Sequence, residues 1–359
     1  MPSTYGTQVT TSPVGSGGTP TVAASARNRV IYQSEALGVR GGSDTPVALR
    51  RIQSINYSFS VGRTDVNQFG ELAAIDRIIL EQPTVTMDFS YILHGLTNEN
   101  SLGFDIVGSN SCITNILDNT QDKKDYFVAL AAEGEDAASA GADTVVSQIE
   151  VPDAFITSYS AAGSVGEFPT ATINVEALDM KIGQSSSTDF GMKHASTEDG
   201  GMTNSKVLRP GEILLDIFAF GGTVHLQSFT LTVDLTREPI NRLGTNFPFA
   251  RVISFPVNAT LSAEGILVGD DGSDSASLAE LVDNDDAISE MTVDCRSQTG
   301  TGHAPGAKFT VKEAKLDSYG YTSSIGANKS VSMDWSVPIG SKSQTGKGVF
   351  MSPGGVYGA

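Results

Sequence analysis

The chain has 359 residues, a formal net charge of -18, 7% aromatic residues, 38 glycines and two cysteines. So acidic a surface repels a phosphate backbone and argues against tight nucleic-acid binding. Cys112 and Cys295 cannot build a disulfide framework and read as buried free thiols in a reducing cytoplasm. The richest apolar run, Ile213 to Phe220, is interrupted by Asp216, so no membrane span is expected, and Met1-Pro-Ser-Thr-Tyr5 shows neither the basic region nor the apolar run of a signal peptide.

Residues 1–28, rich in Ser, Thr, Gly and Pro, read as a flexible N-terminal arm. A first domain is expected over 29–183. Within it Ile55, Tyr57, Phe59 and Val61 alternate with Ser54, Asn56, Ser58 and Ser60, the period of a half-buried strand. Val85, Met87, Phe89 and Tyr91 repeat the pattern against Thr84, Thr86, Asp88 and Ser90. A long insert over 94–144 is the least regular part, with one short helix expected over Ile113 to Asp118 and a strand around Tyr126 to Ala131. Residues 184–205 read as a linker, 206–340 as a second domain and 341–359 as a C-terminal arm. The second domain's short helix is expected at Leu278 to Val282, capped by Ser275 or Ser277.

The two domains are expected to be copies. Ile52 to Leu93 laid on Leu226 to Leu267, 174 residues later, gives identical pairs at Gln53/Gln227, Ser54/Ser228, Arg63/Arg237, Asn67/Asn241, Gly70/Gly244, Arg77/Arg251, Ile79/Ile253, Thr86/Thr260, Ile92/Ile266 and Leu93/Leu267. A later block matches at an offset of 165, and then Ala154, Ser158, Tyr159, Ser164 and Gly166 meet Ala314, Ser318, Tyr319, Ser324 and Gly326 at 160. The order of blocks is kept while the offset falls, as deletions in surface loops would produce.

Between the paired strands lies a shared frame: Arg63, Asn67, Gly70 and Arg77 in the first copy, Arg237, Asn241, Gly244 and Arg251 in the second. The asparagines and glycines read as turn residues. The arginines either neutralise a carboxylate within their own domain or hold a contact between subunits.

Nothing repeated carries chemistry. His94, His194, His225 and His303 lack metal partners at helical or turn spacing, Gly15 to Gly18 lacks the lysine of a phosphate loop, and Gly269 to Asp274 misses the ligand spacing of a calcium loop. No catalytic residue, metal or cofactor is expected, and the chain does not read as an enzyme.

The phrases Val61-Gly-Arg-Thr-Asp-Val-Asn-Gln-Phe-Gly70 with Pro83-Thr-Val-Thr-Met87, and Arg237-Glu-Pro-Ile-Asn-Arg-Leu-Gly244 with Phe247-Pro-Phe-Ala-Arg251, resemble tail tube proteins of tailed bacteriophages. The resemblance implies an all-β chain of two tandem tube domains, each a β-sandwich with one short helix. It further implies rings whose inner strands join into a barrel. With two domains per chain, three subunits would close a pseudo-sixfold ring in place of six. Implied partners are other copies of the chain, the tape-measure, terminator and baseplate proteins, and double-stranded DNA passing through without tight binding. The implied location is the virion tail, assembled in the host cytoplasm. The arms and the 94–144 insert are expected to order against the next ring. Another virion β-sandwich protein, a capsid decoration or baseplate component, is the alternative.

Overall fold

The computed structural model describes residues 35–41, 46–79, 83–118, 122–131, 137, 145–183, 208–209, 211, 213–217, 224–244, 248, 250–267, 290–297, 306–325, 328–339 and 345–355. The first copy contributes β1 (Glu35–Arg40), β2 (Val47–Ala48), β3 (Ile52–Ser60), β4 (Arg63–Val66), β5 (Asp76–Ile79), β6 (Thr84–Ile92), α1 (Thr97–Leu102), α2 (Thr114–Leu117), β7 (Lys124–Ala131), β8 (Val145–Ser164), β9 (Thr170–Ala177) and β10 (Lys181–Gly183). The second contributes β11 (Ile213–Ile217), β12 (Val224–Asp234), β13 (Arg237–Ile240), β14 (Ala250–Ile253), β15 (Val257–Leu267), β16 (Glu290–Cys295), β17 (Ala307–Lys312), β18 (Lys315–Thr322), β19 (Ser330–Ile339) and β20 (Gly348–Pro353).

Eight of these form one antiparallel sheet in the spatial order β3-β6-β9-β8-β12-β15-β19-β18. The first four strands come from one copy and the last four from the other, joined where β8 meets β12. Only the C-terminal half of β8 belongs here; its N-terminal half pairs with β7 and β10, giving a smaller sheet β2-β1-β7-β8-β10. The matching sheet of the second copy is β11-β16-β17-β20.

Register repeats as well as order. Met87 pairs with Val175, and 174 and 160 residues on, Leu261 pairs with Trp335. Bulges at Gln53 and Gln227 and at Thr157 and Asp317 fall at the same two offsets. Asp153 and Glu313, 160 apart, both take positive φ, 52° and 56°. In the first copy β8 runs on through that residue; in the second it separates β17 from β18.

Alternation explains which face is buried. Val85, Met87, Phe89, Tyr91, Ile173, Val175, Leu231, Val233, Leu261, Met333, Trp335 and Val337 turn inward into one core, each contributing about 1.5–3 kcal/mol where a large side chain leaves water. Rings tie the layers together: Phe89 on β6 lies 5.8 Å from Tyr126 on β7, and Tyr159 on β8 lies 5.1 Å from Phe104 and 6.4 Å from Phe309 of the second copy. The opposite face is a lattice of small polar groups, with Ser54 to Ser90 at 2.7 Å, Asn56 donating to Asp88 at 2.8 Å and Asn174 donating to Ser158 at 2.7 Å.

Two sequence expectations are corrected. Residues 348–353, assigned to the C-terminal arm, form β20 with Val349, Phe350 and Met351 buried; a three-residue apolar run among glycines is enough when both its faces are covered. In the 94–144 insert, expected to order only on assembly, the segments 94–118 and 122–131 contribute to the core and its sheets. Leu96, Leu102, Phe104, Ile113 and Ile116 are buried, β7 is a full sheet strand, and the backbone NH of Cys112 bonds the carbonyl of Val349 at 2.8 Å. The expected helix at 113–118 is α2; α1 is a second helix in the same insert. The N-terminal arm, the linker and the helix at 278–282 lie outside the described residues.

Candidate assembly interface

At the junction between the copies, β8 and β12 pair antiparallel from Ser158 opposite Asp234 to Ser164 opposite Ser228. Phe229, Leu231 and Val233 face Gly163, Ala161 and Tyr159 on the buried side. The approach is close: a Cβ on Gly163 would stand 2.7 Å from a ring carbon of Phe229. On the polar side the hydroxyls of Ser160 and Thr232 meet at 3.3 Å.

The arginine frame sits beside this junction. Chain order carries β12 into β13, and the β13–β14 hairpin pairs Arg237 with Ile253 and Pro239 with Arg251. Arg237 is fully buried. Its Nη2 bonds the Asp122 carboxylate at 2.7 Å, its Nε donates to the Ile156 carbonyl at 3.0 Å, and its guanidinium lies 4.9 Å from the centre of the Phe155 ring. Arg251, facing an uncharged proline across its hairpin, reaches instead to the carboxylate of Glu176 on β9. Apart from the Arg251 carbonyl of its own hairpin, to which Arg237 Nη1 donates at 3.4 Å, these partners belong to the first copy, so the second frame clasps the two copies together.

The first frame has the same hairpin register and, among the described residues, clasps no other element. The β4–β5 hairpin pairs Arg63 with Ile79 and Asp65 with Arg77, the same register 174 residues earlier. Arg63 is exposed, and Arg77 turns back to Asp65 of its own hairpin at 3.1 Å, where both side chains are more than half exposed. Of the two sequence readings, Arg77 follows the first, a carboxylate of its own domain, whereas Arg237 and Arg251 bind carboxylates of the other copy within the same chain, an arrangement neither reading foresaw. Gly70 and Gly244 take φ of +93° and +85° at the hairpin tips, beside Phe69 and Leu243, which are fully exposed. Asn67 and Asn241 are exposed and keep negative φ, so the left-handed conformation falls on the glycines alone.

The outer strands of the eight show the same asymmetry. Phe59 on β3 is 62% exposed where its counterpart Val233 on β12 is fully buried, and Tyr321 on β18 is 54% exposed where its counterpart Ala161 on β8 is fully buried. Tyr319 and Tyr321 stack edge to face with hydroxyls 2.8 Å apart at this open edge. Sequence reasoning missed these aromatics as interface residues because their alternation matches that of buried strands.

The polar face of the sheet carries Asp88, Glu176, Asp234, Glu264 and Asp334 against one cation, Lys315 at the bulged end of β18. Elsewhere, Glu99 of α1 is wholly enclosed, accepting bonds from the hydroxyls of Tyr91 at 2.7 Å and Tyr159 at 3.3 Å; burial pushes its carboxyl up to about 7. Burial also pushes the thiols of Cys112 and Cys295 up to about 12. Among the described residues no group of three or more His, Cys, Asp or Glu could hold a metal ion, and no helix is long and apolar enough to cross a membrane.

No protein-family model and no curated protein matches the chain. Among solved structures, it is similar to a chain in the sixfold-symmetrised baseplate of the anti-feeding prophage, with 10% identity and a TM-score of 0.30, over 42% of this chain and 93% of that one.

Proposed function

We propose that the chain is a structural subunit of a phage-tail-type tube, built from two tandem tube domains and without catalytic activity. The observation that carries this is the shape of the eight-strand sheet. Two copies of one four-strand unit join edge to edge head to tail, and the composite sheet ends in β3 and β18, the same two kinds of edge that have already joined inside it. A head-to-tail contact that repeats closes a ring when its rotation divides a full turn, and closure removes open edges that would otherwise template aggregation.

Three chains supply 24 strands, six four-strand units in pseudo-sixfold array. At a spacing of about 4.8 Å and a tilt of about 40°, such a barrel is roughly 48 Å across at the backbone. The apolar face of the sheet is covered by the smaller sheets, which leaves the polar face to line the channel. Hydroxyls and scattered carboxylates there would not hold phosphates, so DNA could slide. Stacked rings would form the tail tube of a virion assembled in the host cytoplasm, with tape-measure, terminator and baseplate proteins at its ends. Negative-stain microscopy of the purified chain tests this: rings or hollow tubes are expected, and dispersed monomers at high concentration would overturn it.

A further inference from the structure

The junction inside the chain is a template for the one between chains. β3 and β12 occupy equivalent places at an offset of 174, and β18 and the C-terminal half of β8 at an offset of 160, down to the bulged residues. Transferring the β8–β12 register through these offsets places Ser318 opposite Ser60, Tyr319 opposite Phe59, Gly320 opposite Ser58, Tyr321 opposite Tyr57, Thr322 opposite Asn56 and Ser324 opposite Ser54.

We propose that β18 of one copy pairs with β3 of the next in this register, and that Arg63 of the next copy enters the place that Arg237 occupies inside the chain. The proposal rests on the tube reading and adds to it the residues and the register of the contact. Three observations on the two free edges support it. The residues brought together on the buried side are the exposed Phe59 with Tyr319 and the exposed Tyr321 with Tyr57, with Ile55 opposite Ser323 beyond them, so two aromatic pairs form at the centre of the contact, a favourable cross-strand arrangement. The residues brought together on the other side are Ser, Thr, Asn and Gly, none of which carries a charge to repel. Arg63 is exposed at the same point of its hairpin where Arg237 is buried, and the atom it would meet by equivalence is the carbonyl of Leu316, counterpart of Ile156.

The contact between copies also differs from the internal one. The counterpart of Glu176 is Ser336, so Arg77 finds no carboxylate there and keeps Asp65. The inter-chain contact therefore leans on aromatic burial where the internal one has a second ion pair.

Engineered cysteines test the register, since the native Cys112 and Cys295 are buried and do not compete. Directly opposed residues bring Cα atoms within about 4.5–5.5 Å, inside disulfide range, whereas a shift of two residues takes them to about 7–8 Å, outside it. The full-length variant Asn56→Cys/Thr322→Cys, oxidised under conditions where wild type assembles, should give reducible covalent oligomers that end at three chains. The shifted variant Asn56→Cys/Ser324→Cys should remain at least tenfold less cross-linked. Rings or tubes by microscopy with no cross-link in the first variant, or with preferential cross-linking in the second, would overturn the register and leave the tube reading intact. Wild type that forms no assembly would overturn both.

Discussion

Replacing Arg237 by alanine should destabilise the isolated chain, while the same change at Arg63, its counterpart in the first copy, should not. The Arg237 side chain is fully buried and the Asp122 carboxylate it bonds is nearly so. Its removal leaves that carboxylate and the Ile156 carbonyl without their donor and strips the cation from the face of Phe155. Breaking one side of a buried pair costs about 3–5 kcal/mol, because the remaining charge stays desolvated. For a chain of this size each kcal/mol moves the melting temperature by about 1.3 °C, so the drop should be on the order of 5 °C. Arg63 is exposed, and a surface change there should stay within about 0.5 kcal/mol. The assay is thermal melting by circular dichroism of both variants at a dilution where wild type is monomeric. Equal shifts in the two, or none for Arg237→Ala, would refute the claim that one frame is occupied and the other vacant.

Stability should also vary with pH through Glu99. Its carboxyl is raised from 4.5 to about 7 in the fold, so between those values the folded chain holds a proton that the unfolded chain gives up. The stabilisation is fully present below pH 4.5, declines by about 3 kcal/mol as pH rises through 7, and is flat beyond. Glu99→Gln should lessen that slope in urea midpoints taken at pH 5 and 7.5; an unaltered slope would show the carboxyl is not so enclosed. Gly70→Val and Gly244→Val meet no atom within 4 Å but force a β-branched residue to positive φ, a backbone cost of about 1–3 kcal/mol. Both should yield soluble protein that forms few tubes, counted by microscopy, and normal assembly of both would remove the hairpin tips from the contact. Cys112 and Cys295 should resist iodoacetamide in the folded chain at pH 8 and react in urea; rapid labelling without denaturant would contradict their burial.

Strands with strict two-residue alternation were legible because the period alone decides which side chains share a face, as in Ser54 to Val61 and Thr84 to Tyr91. The bulges at Thr157 and Asp317 were not, since one extra residue leaves no compositional trace. Helix α1 reads as a polar loop, Thr97-Asn-Glu-Asn-Ser-Leu102, until the hydroxyls of Tyr91 on the preceding strand and of Tyr159, 60 residues further on, are seen to donate to its buried acid. The arginines posed a different difficulty. Identical frames predict identical environments, yet chain order breaks the tie: β8 lies in the first copy and β12 in the second, so only the second frame can be satisfied within one molecule.

That asymmetry bears on why two copies in one chain would assemble well. A contact formed inside a chain does not incur the association cost of about 4–15 kcal/mol that each bimolecular contact must overcome. In a ring of three two-domain chains half of the six junctions are of that kind. The internal junction is closed within the chain, and on its buried side Leu231 meets Ala161 while Phe229 meets Gly163 and Val233 meets Tyr159. On the proposed assembly the outer edges stay in water until a neighbour covers them, and at the positions of Leu231 and Ala161 they hold Tyr57 and Tyr321, whose hydroxyls tolerate water while their rings retain area to bury. In that assembly, divergence at these two positions follows the time at which each edge is covered, during folding for one and at assembly for the other.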